Sequence, residues 1–374
     1  MSSRSPRLQD HFSDLTDPRR RKVVYPLINI VTIAICAVLA GADDFVSIAA
    51  WGRQKRDWLS KILDLSSGIP SHDRFNAIFA ALDPAEFEKC LLSWITSLHE
   101  ITSGQIIAID GKTLRGSFDK ASGKSAIHMV SAWATANHIS LGQVMVDAKS
   151  NEITAIPKLL ELLEITGSIV TIDAMGCQTA IAAVIIAKKA DYVLAVKDNQ
   201  PTLHAGIGAY FLDQMDDNFA RVKMSRHETK EQGHGRIEHR TYFVCDVPSD
   251  LPDRERWKGL KRIGVAISDT VRGGKPADDV RYYILSKRMS ARSFGAAVRG
   301  HWGIENRLHW QLDVTFGEDH CRTRKGRADA NFSILRRTAL SLLKNEKTAK
   351  VGMKNKRLTA GWNDHYLEKV LFGT

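Results

Sequence analysis

Between residues 105 and 196 short apolar runs alternate with helical periodicity, and this order constrains the fold more than any other feature of the sequence. Apolar and β-branched runs bounded by turn residues predict strands, while apolar residues spaced three and four apart predict helices. We predict strands over 106–109, 127–135 and 140–146, a helix over 153–165, a strand over 168–172, a helix over 179–189 and a strand over 192–196. The order β-β-β-α-β-α-β predicts an α/β fold, a mixed sheet with helices packed on it.

The first hundred residues are helical in pattern, which predicts an all-helical N-terminal domain over 1–100. Asp83 supplies a cap, Pro84 occupies the first helical position and Glu86 the third, so a helix starts there. A shorter helix is predicted over 71–82. Two helices around a tight turn form either a DNA-binding helix-turn-helix or an ordinary helical hairpin, and the spacing favours the hairpin.

Beyond residue 200 the pattern changes twice. Residues 205–290 contain the strand-like segments RIEHRTYFVCD, RIGVAIS and VRYYILS, which predict a β-rich insertion. Residues 293–345 are mostly helical, so a second domain is predicted over 101–345 with the insertion inside it. The lysine-rich segment 346–374 is predicted to be a basic C-terminal tail.

Charge and cysteine content narrow the function classes. The chain carries 53 Lys and Arg against 42 Asp and Glu, a net charge of +11, which favours an anionic partner such as nucleic acid. Five scattered cysteines without a C-x-x-C pair argue against a disulfide framework or a zinc ribbon and favour a reducing cytoplasm. An apolar run over 23–40 imitates a signal or membrane anchor. Pro26, Asn29 and Thr32 interrupt it, so we predict a buried core helix and no membrane association.

Two predicted strands end in an aspartate followed closely by glycine. IIAIDGKTLRG contains Asp110, and SIVTIDAMG contains Asp173. The "GKT" after Asp110 is not a phosphate-binding P-loop, because that loop requires a glycine where Ile106 stands. In a ribonuclease H-like sheet the first and fourth strands are neighbours, so the two acids would share one cleft. Paired carboxylates repel each other, and Mg²⁺, which prefers oxygen ligands, resolves that repulsion.

A third acid is expected from a later helix, within VRGHWGIENRLHWQLDVTFGEDHCRTRKGR. Glu305 is the candidate, with His301 and His309 four residues before and after it on the same helix face. A zinc site made of these three side chains is a weaker alternative, because the spacing is not HExxH. Asp313, Glu318 and Asp319 are the fallback choices for the third acid. The basic residues Arg322, Arg324 and Lys325 follow directly and suit phosphate contacts.

Four motifs in this order, AIDGKTLRGS, TIDAMGCQ, VKDNQP and HWGIENRLHWQLDVTFGED, resemble bacterial insertion-sequence transposases of the H-repeat-associated (ISAs-type) group. The resemblance covers most of the chain. It implies a ribonuclease H-like catalytic domain, preceded by a helical region for DNA binding or an accessory role. It also implies that Asp110, Asp173 and Glu305 form a DDE metal-binding triad. Related cut-and-paste transposases carry tyrosine, arginine and lysine around the glutamate, whereas this chain has Val298, His301 and Leu312 there.

The resemblance implies a DNA transposase that cleaves insertion-sequence ends and transfers the strand, with two Mg²⁺ ions as cofactors and Mn²⁺ as an alternative. The expected partners are double-stranded DNA and a second copy of the chain on paired ends, in the bacterial cytoplasm with the nucleoid. A nuclease of the same fold and a catalytically silent DNA-binding descendant are the alternatives. The remaining candidate DNA contacts are Lys112, Lys197, Asn199, Gln200, Arg299, His301 and Asn306. Gly111 is expected to let the DNA backbone approach.

Overall fold

The computed structural model describes residues 8–20, 23–99, 104–118, 125–146, 151–233, 235–273 and 275–373. Side-chain caps begin the later helices of its N-terminal region. Asp83 accepts hydrogen bonds from the backbone N–H groups of Ala85 and Glu86, and Ser71 caps the helix before it. These caps satisfy donors that a helix start leaves unpaired. The helices of this region are α1 (Leu8–His11), α2 (Leu27–Leu39), α3 (Phe45–Gln54), α4 (Arg56–Leu59), α5 (His72–Ala81) and α6 (Pro84–Leu98).

Helix α2 lies in the core, as its apolar composition predicts. Every residue from Asn29 to Leu39 is buried, and the Asn29 side chain donates a hydrogen bond to the Asp64 carbonyl at 2.5 Å. Helices α2, α5 and α6 all pack against α12 (Ala328–Asn345), so the two ends of the chain share one core. In the ranges described above, we find no helix that combines the length and the apolar character needed to cross a bilayer.

Nine strands form one mixed sheet in the order β3-β2-β1-β4-β5-β9-β8-β7-β6. Strands β1, β4 and β5 run parallel, and the other neighbouring pairs are antiparallel. The predicted ribonuclease H-like mixed sheet is therefore confirmed, with the first and fourth strands as neighbours. The strands are β1 (Ile106–Leu114), β2 (Ile127–Ala134), β3 (Ile139–Met145), β4 (Ile169–Ile172), β5 (Asp191–Val196), β6 (Ser225–Gly233), β7 (Arg236–Asp246), β8 (Arg262–Arg272) and β9 (Lys275–Leu285).

Helices cover both faces of this sheet. Successive residues of a strand face opposite sides of the sheet. In β1, Asp110 lies beside His309 and the next residue, Gly111, lies against Glu152. Helix α7 therefore lies on one face and the α10–α11 segment on the other. A π-helical turn (Glu305–His309) joins α10 to α11. The later helices are α7 (Glu152–Leu162), α8 (Thr179–Ala187), α9 (Pro201–Asp216), α10 (Ala291–Ile304), α11 (Trp310–Val314), α13 (Met353–Trp362) and α14 (Asp364–Phe372).

Strand β1 is longer than predicted. The pattern ended it at Ile109, just before Asp110, but the strand continues to Leu114. The parallel pairing with β4 does stop at Ile109 and Ile172, whereas the antiparallel pairing with β2 continues as far as Leu114 and Ile127. The sequence misled here because glycine and lysine are uncommon in strands and a hydrogen-bonded neighbour overrides that preference.

The predicted β-rich insertion over 205–290 differs from the expectation in two ways. Most of helix α9 lies in it, and its strands extend the central sheet, because β9 pairs with β5 from Val193–Leu285 to Val196–Tyr282. Strand β6, SRHETKEQG, was not predicted. It has no apolar alternation and is held as an edge strand by backbone pairing with β7.

The segment 346–374, predicted to be a basic tail, folds into helices α13 and α14. Lys356 and Arg357 are buried there. The Lys356 ammonium donates to the Leu343 carbonyl at 3.0 Å, and the Arg357 guanidinium donates to the Val38 carbonyl at 3.0 Å. Two of the cations expected on a solvated tail therefore hold helices together. The division of the chain into domains stays a prediction.

Candidate active site

Asp110 and Asp173 lie side by side where the parallel pairing of β1 and β4 ends. Ile109 of β1 pairs with Ile172 of β4 in parallel register, and the two aspartates occupy the next position on each strand. Neighbouring strands are about 4.8 Å apart, so the two backbones deliver their carboxylates to one place. A hydrogen bond of 3.2 Å from the Gly176 N–H to Asp173 Oδ1 fixes the turn that follows β4.

Glu305 approaches the pair from the helical face. It is the first residue of the π-helical turn, a distortion that occurs frequently at functional sites. Asp173 and Glu305 both line a cavity of about 460 Å³, and Asp110 lies beside that cavity rather than among its described lining residues. Helix α10 lies close to β1, since a Cβ on Gly300 would stand 3.3 Å from Ile106. This close packing brings Glu305 to the aspartates.

The electrostatics join these three acids. Burial, with smaller contributions from the Glu305, Asp173 and Glu152 carboxylates, raises the pKa of Asp110 to about 7, although a backbone hydrogen bond from Gly111 lowers it. Burial is also the main cause that raises the pKa of Asp173 and of Glu305. The Asp173 carboxylate contributes to the rise at Glu305. Crowded acids with raised pKa values are typical of a functional site.

A divalent cation fits the donor chemistry of this site. Carboxylate oxygens are the ligands that Mg²⁺ prefers, and a cation would relieve the repulsion that adds to the effect of burial on these pKa values. Within the described ranges, however, no group of three or more His, Cys, Asp or Glu side chains is gathered closely enough to hold a metal ion. Asp110, Asp173 and Glu305 thus supply the charge and the donors without forming a finished coordination shell.

The two histidines beside Glu305 have separate partners. His301 Nδ1 lies 3.3 Å from Thr171 Oγ1, and His309 Nδ1 lies 3.5 Å from Asp110 Oδ2. Burial is the main cause that lowers the pKa of His301 to about 4 and of His309 to about 3, so both imidazoles are neutral at pH 7. Within the described ranges His301, Glu305 and His309 are not gathered into one metal-binding group, as the zinc alternative requires.

Lys112 is buried in an acidic cluster rather than facing a substrate. Its ammonium lies 2.7 Å from Asp313, 3.2 Å from Asp319 and 3.9 Å from Glu318. Its side chain is only 8% exposed. Glu318 is also bound by Arg337 at 3.1 Å. The three fallback acids are thus neutralised by Lys112 and Arg337, which leaves Glu305 as the acid that faces the cavity with Asp173.

Several of the remaining candidate DNA contacts already hydrogen-bond or pair with other groups of the protein. Asn199 and Gln200 donate to the Ala174 and Cys177 carbonyls at 2.7 and 3.0 Å, so they brace the turn after Asp173. Arg299 pairs with Glu231 at 2.9 Å. Arg324 donates to the Gly116 carbonyl at 2.9 Å. The other members, Lys197, Asn306, Arg322 and Lys325, are exposed, as are Asn199 and Arg299, and Lys197 lines the cavity.

Two groups near the acids were not predicted from the sequence. Arg281 of β9 lines the cavity, and its charge lowers the pKa of Glu305 against the effect of burial. Glu152 lies 2.5 Å from His128, and its charge raises the pKa of Asp173. Both residues lie far from the acids in sequence. Only the position of Arg281 just before the apolar run YYIL of β9 could have indicated it.

Gly111 has a different reason from the one expected. A Cβ at this position would lie 2.6 Å from His128 Nε2 and closer still to the Glu152 carboxylate. The glycine therefore makes room for the chain's own side chains, on the sheet face opposite Asp110. A close approach of the DNA backbone is not needed to explain it.

Comparisons with known proteins match this chain to transposase families. The family described as "DDE_Tnp_1-associated" matches residues 9–95, and the family described as "Transposase DDE domain" matches residues 101–342. The Escherichia coli O157:H7 protein named "Putative transposase YncI" is 46% identical over 369 residues, which cover 97% of this chain and 94% of that protein. The Escherichia coli K12 protein named "H repeat-associated putative transposase YhhI" is 40% identical over 375 residues, covering 98% of each chain.

Proposed function

The chain belongs to the transposase family that carries this DDE domain, and on that premise we propose that it cleaves DNA at insertion-sequence ends and joins the freed strand to a target. The observation that carries the proposal is the position of Asp110 and Asp173, one residue beyond the last β1–β4 pair, with Glu305 in the same cavity as Asp173. Rigid strands hold the two aspartates, as a site for phosphoryl transfer requires.

In the proposed reaction Asp110, Asp173 and Glu305 would hold two divalent cations, Mg²⁺ or alternatively Mn²⁺. When bound, such ions supply activation of the attacking oxygen and charge stabilisation of the leaving oxygen in an in-line displacement at phosphorus. Asp110 and Asp173 must be ionised when they bind the cations. Neutral pH or a nearby positive charge promotes this ionisation. The neutral imidazole of His309 lies beside the Asp110 carboxylate, with Nδ1 3.5 Å from Asp110 Oδ2.

The proposed substrate is double-stranded DNA, which agrees with the net charge of +11. The attacking group is water during cleavage and a 3′-hydroxyl during joining, so no serine or tyrosine nucleophile of the chain is required. We propose in addition that two copies act on a pair of ends, in the bacterial cytoplasm with the nucleoid. These last points rest on the family resemblance.

The test is incubation of the chain with Mg²⁺ and a plasmid that carries the element's own ends, followed by gel analysis of cut and joined products. We expect Glu305→Gln to bind DNA but to cut at least about 100-fold more slowly, a larger loss than an outer-shell residue typically gives. Glu255→Gln is the matched control, because that side chain is 87% exposed and lies outside the site.

Each alternative has its own outcome. If the wild-type chain binds the ends but never cuts them with Mg²⁺ or Mn²⁺, it is a silent DNA-binding descendant. If it cuts without joining, it is a nuclease of the same fold. If Glu305→Gln cuts at the wild-type rate, the assignment of the third acid is wrong.

A further inference from the structure

We propose that Arg281 and Lys197 form a phosphate-binding subsite that holds the DNA backbone beside Asp173 and Glu305. The inference rests on the proposed function, since it names the side chains that meet the substrate's charge. Phosphate oxygens are the groups that arginine and lysine bind most readily in DNA.

Strand register brings the two cations together, just as it does the two acids. Val196 of β5 pairs with Tyr282 of β9, in antiparallel register, and this is the last pair of the two strands. The next position on each strand is Lys197 and Arg281 respectively. Both line the cavity that Asp173 and Glu305 also line, so the site has an acidic and a basic wall at one end of the sheet.

Arg281 is held in a defined place while remaining open to solvent. Its guanidinium carbon lies 4.7 Å from the centre of the Trp302 ring, and its Nε donates to Asp279 at 2.6 Å. The side chain is 43% exposed. A planar guanidinium fixed over an aromatic ring suits the oxygens of one phosphate, because little side-chain entropy remains to be lost.

Lys112 and Arg299, two other candidate cations, are not among the described residues that line the cavity. Lys112 is buried among three carboxylates, and Arg299 pairs with Glu231 on the neighbouring hairpin. Among the described residues that line the cavity, Lys197 and Arg281 are the only lysine and arginine side chains. Without them, a DNA strand entering the cavity would meet Asp173, Asp198, Asp279 and Glu305 with no lysine or arginine in its described wall.

The first experiment measures binding of duplex DNA carrying the element's end by fluorescence anisotropy, in EDTA and over a range of salt concentrations. Arg281→Gln and Lys197→Gln should each weaken binding about 3- to 10-fold and reduce the slope of log K against log salt by about one. Arg281→Lys should keep the slope. Arg288→Gln is the matched control, since this arginine is 65% exposed and outside the cavity.

A second experiment replaces single phosphates near the cleavage point with uncharged methylphosphonates. Wild type should lose affinity at one or two positions, and Arg281→Gln should be insensitive at one of them, since that contact is already missing. If Arg281→Gln matches wild type in slope and at every position, the subsite does not exist. Circular dichroism checks that each variant folds, and should Arg281→Gln unfold, Lys197→Gln alone decides by the same criteria.

Failure of this inference and failure of the proposed function would give different experimental results. Loss of cutting by Glu305→Gln together with an unchanged salt slope in Arg281→Gln and Lys197→Gln would overturn only the subsite. If the chain does not bind the DNA ends at all, the proposed function fails first.

Discussion

Replacing Asp110 by asparagine should make the metal-free protein more stable above neutral pH. In the native state the pKa of Asp110 is raised from 3.8 to about 7, chiefly by burial. Between these two pH values the native state holds a proton that the unfolded chain has released. Because the native state then binds more protons, its stability falls as pH rises from about 4 to about 7, and the penalty is complete above that range.

The size of the penalty follows from the same two values. The difference between 3.8 and about 7 corresponds to about 4 kcal/mol, at about 1.4 kcal/mol for each pH unit. The side chain is 18% exposed, so little of this is screened by solvent. Asparagine has nearly the same shape, stays neutral and can still accept the 2.9 Å hydrogen bond from the Gly111 N–H. Allowing for relaxation, we expect Asp110→Asn to gain about 2–4 kcal/mol at about pH 8 and almost nothing at about pH 4.

Urea unfolding in EDTA at these two pH values measures the difference, with the free energy of unfolding taken from the linear fit. Asp278→Asn is the matched control, because this aspartate is exposed on β9 and its replacement should change little at either pH. An equal free energy of unfolding for wild type and Asp110→Asn at about pH 8 would refute the reasoning. So would a gain of the same size at both pH values.

Three further predictions concern the surroundings of the acids. Lys112→Met should lower the free energy of unfolding by about 2–4 kcal/mol in urea titrations, because it leaves Asp313 and Asp319 without the cation closest to them; a loss below about 0.5 kcal/mol would contradict this. Gly111→Ala should lower the free energy of unfolding by about 1–3 kcal/mol, because Glu152 fills the space of the new methyl group. The loss should be smaller in a Glu152→Ala background, and equal losses in both backgrounds would argue against that contact. Mg²⁺ should raise the Tm of wild type at about pH 8 more than that of Asp110→Asn in scanning calorimetry, and equal shifts would show that Asp110 does not hold the ion.

The acids of strands β1 and β4 could be found from the sequence because apolar runs announce strands. The runs at 106–109 and 168–172 predicted the strands, and the order of elements predicted that they are neighbours. Glu305 was reached by the family resemblance and by its helix, and its cavity agrees with that choice. The hairpin of β2 and β3 and helices α7 and α8 also lie within a few residues of their predicted bounds.

What the sequence could not predict depends on long-range pairing. Strand β6 has no apolar residue, and β9 joins β5 across almost ninety residues, so neither the edge strand nor the continuous sheet leaves a local pattern. For the same reason the sequence predicted Lys112 as a DNA contact and did not indicate its carboxylate partners. Its three carboxylate partners lie about two hundred residues away, and only the folded chain brings them to it.

We propose that Asp110, Asp173 and Glu305 form one divalent-cation site. The decisive measurement is the affinity for Mn²⁺, followed by electron paramagnetic resonance. We expect Asp110→Asn, Asp173→Asn and Glu305→Gln each to weaken Mn²⁺ affinity by at least about tenfold, since each removes a charged ligand. Asp313→Asn should bind Mn²⁺ as wild type does, because Asp313 pairs with Lys112 instead. Wild-type affinity in Glu305→Gln, together with lost affinity in Asp313→Asn, would contradict the account.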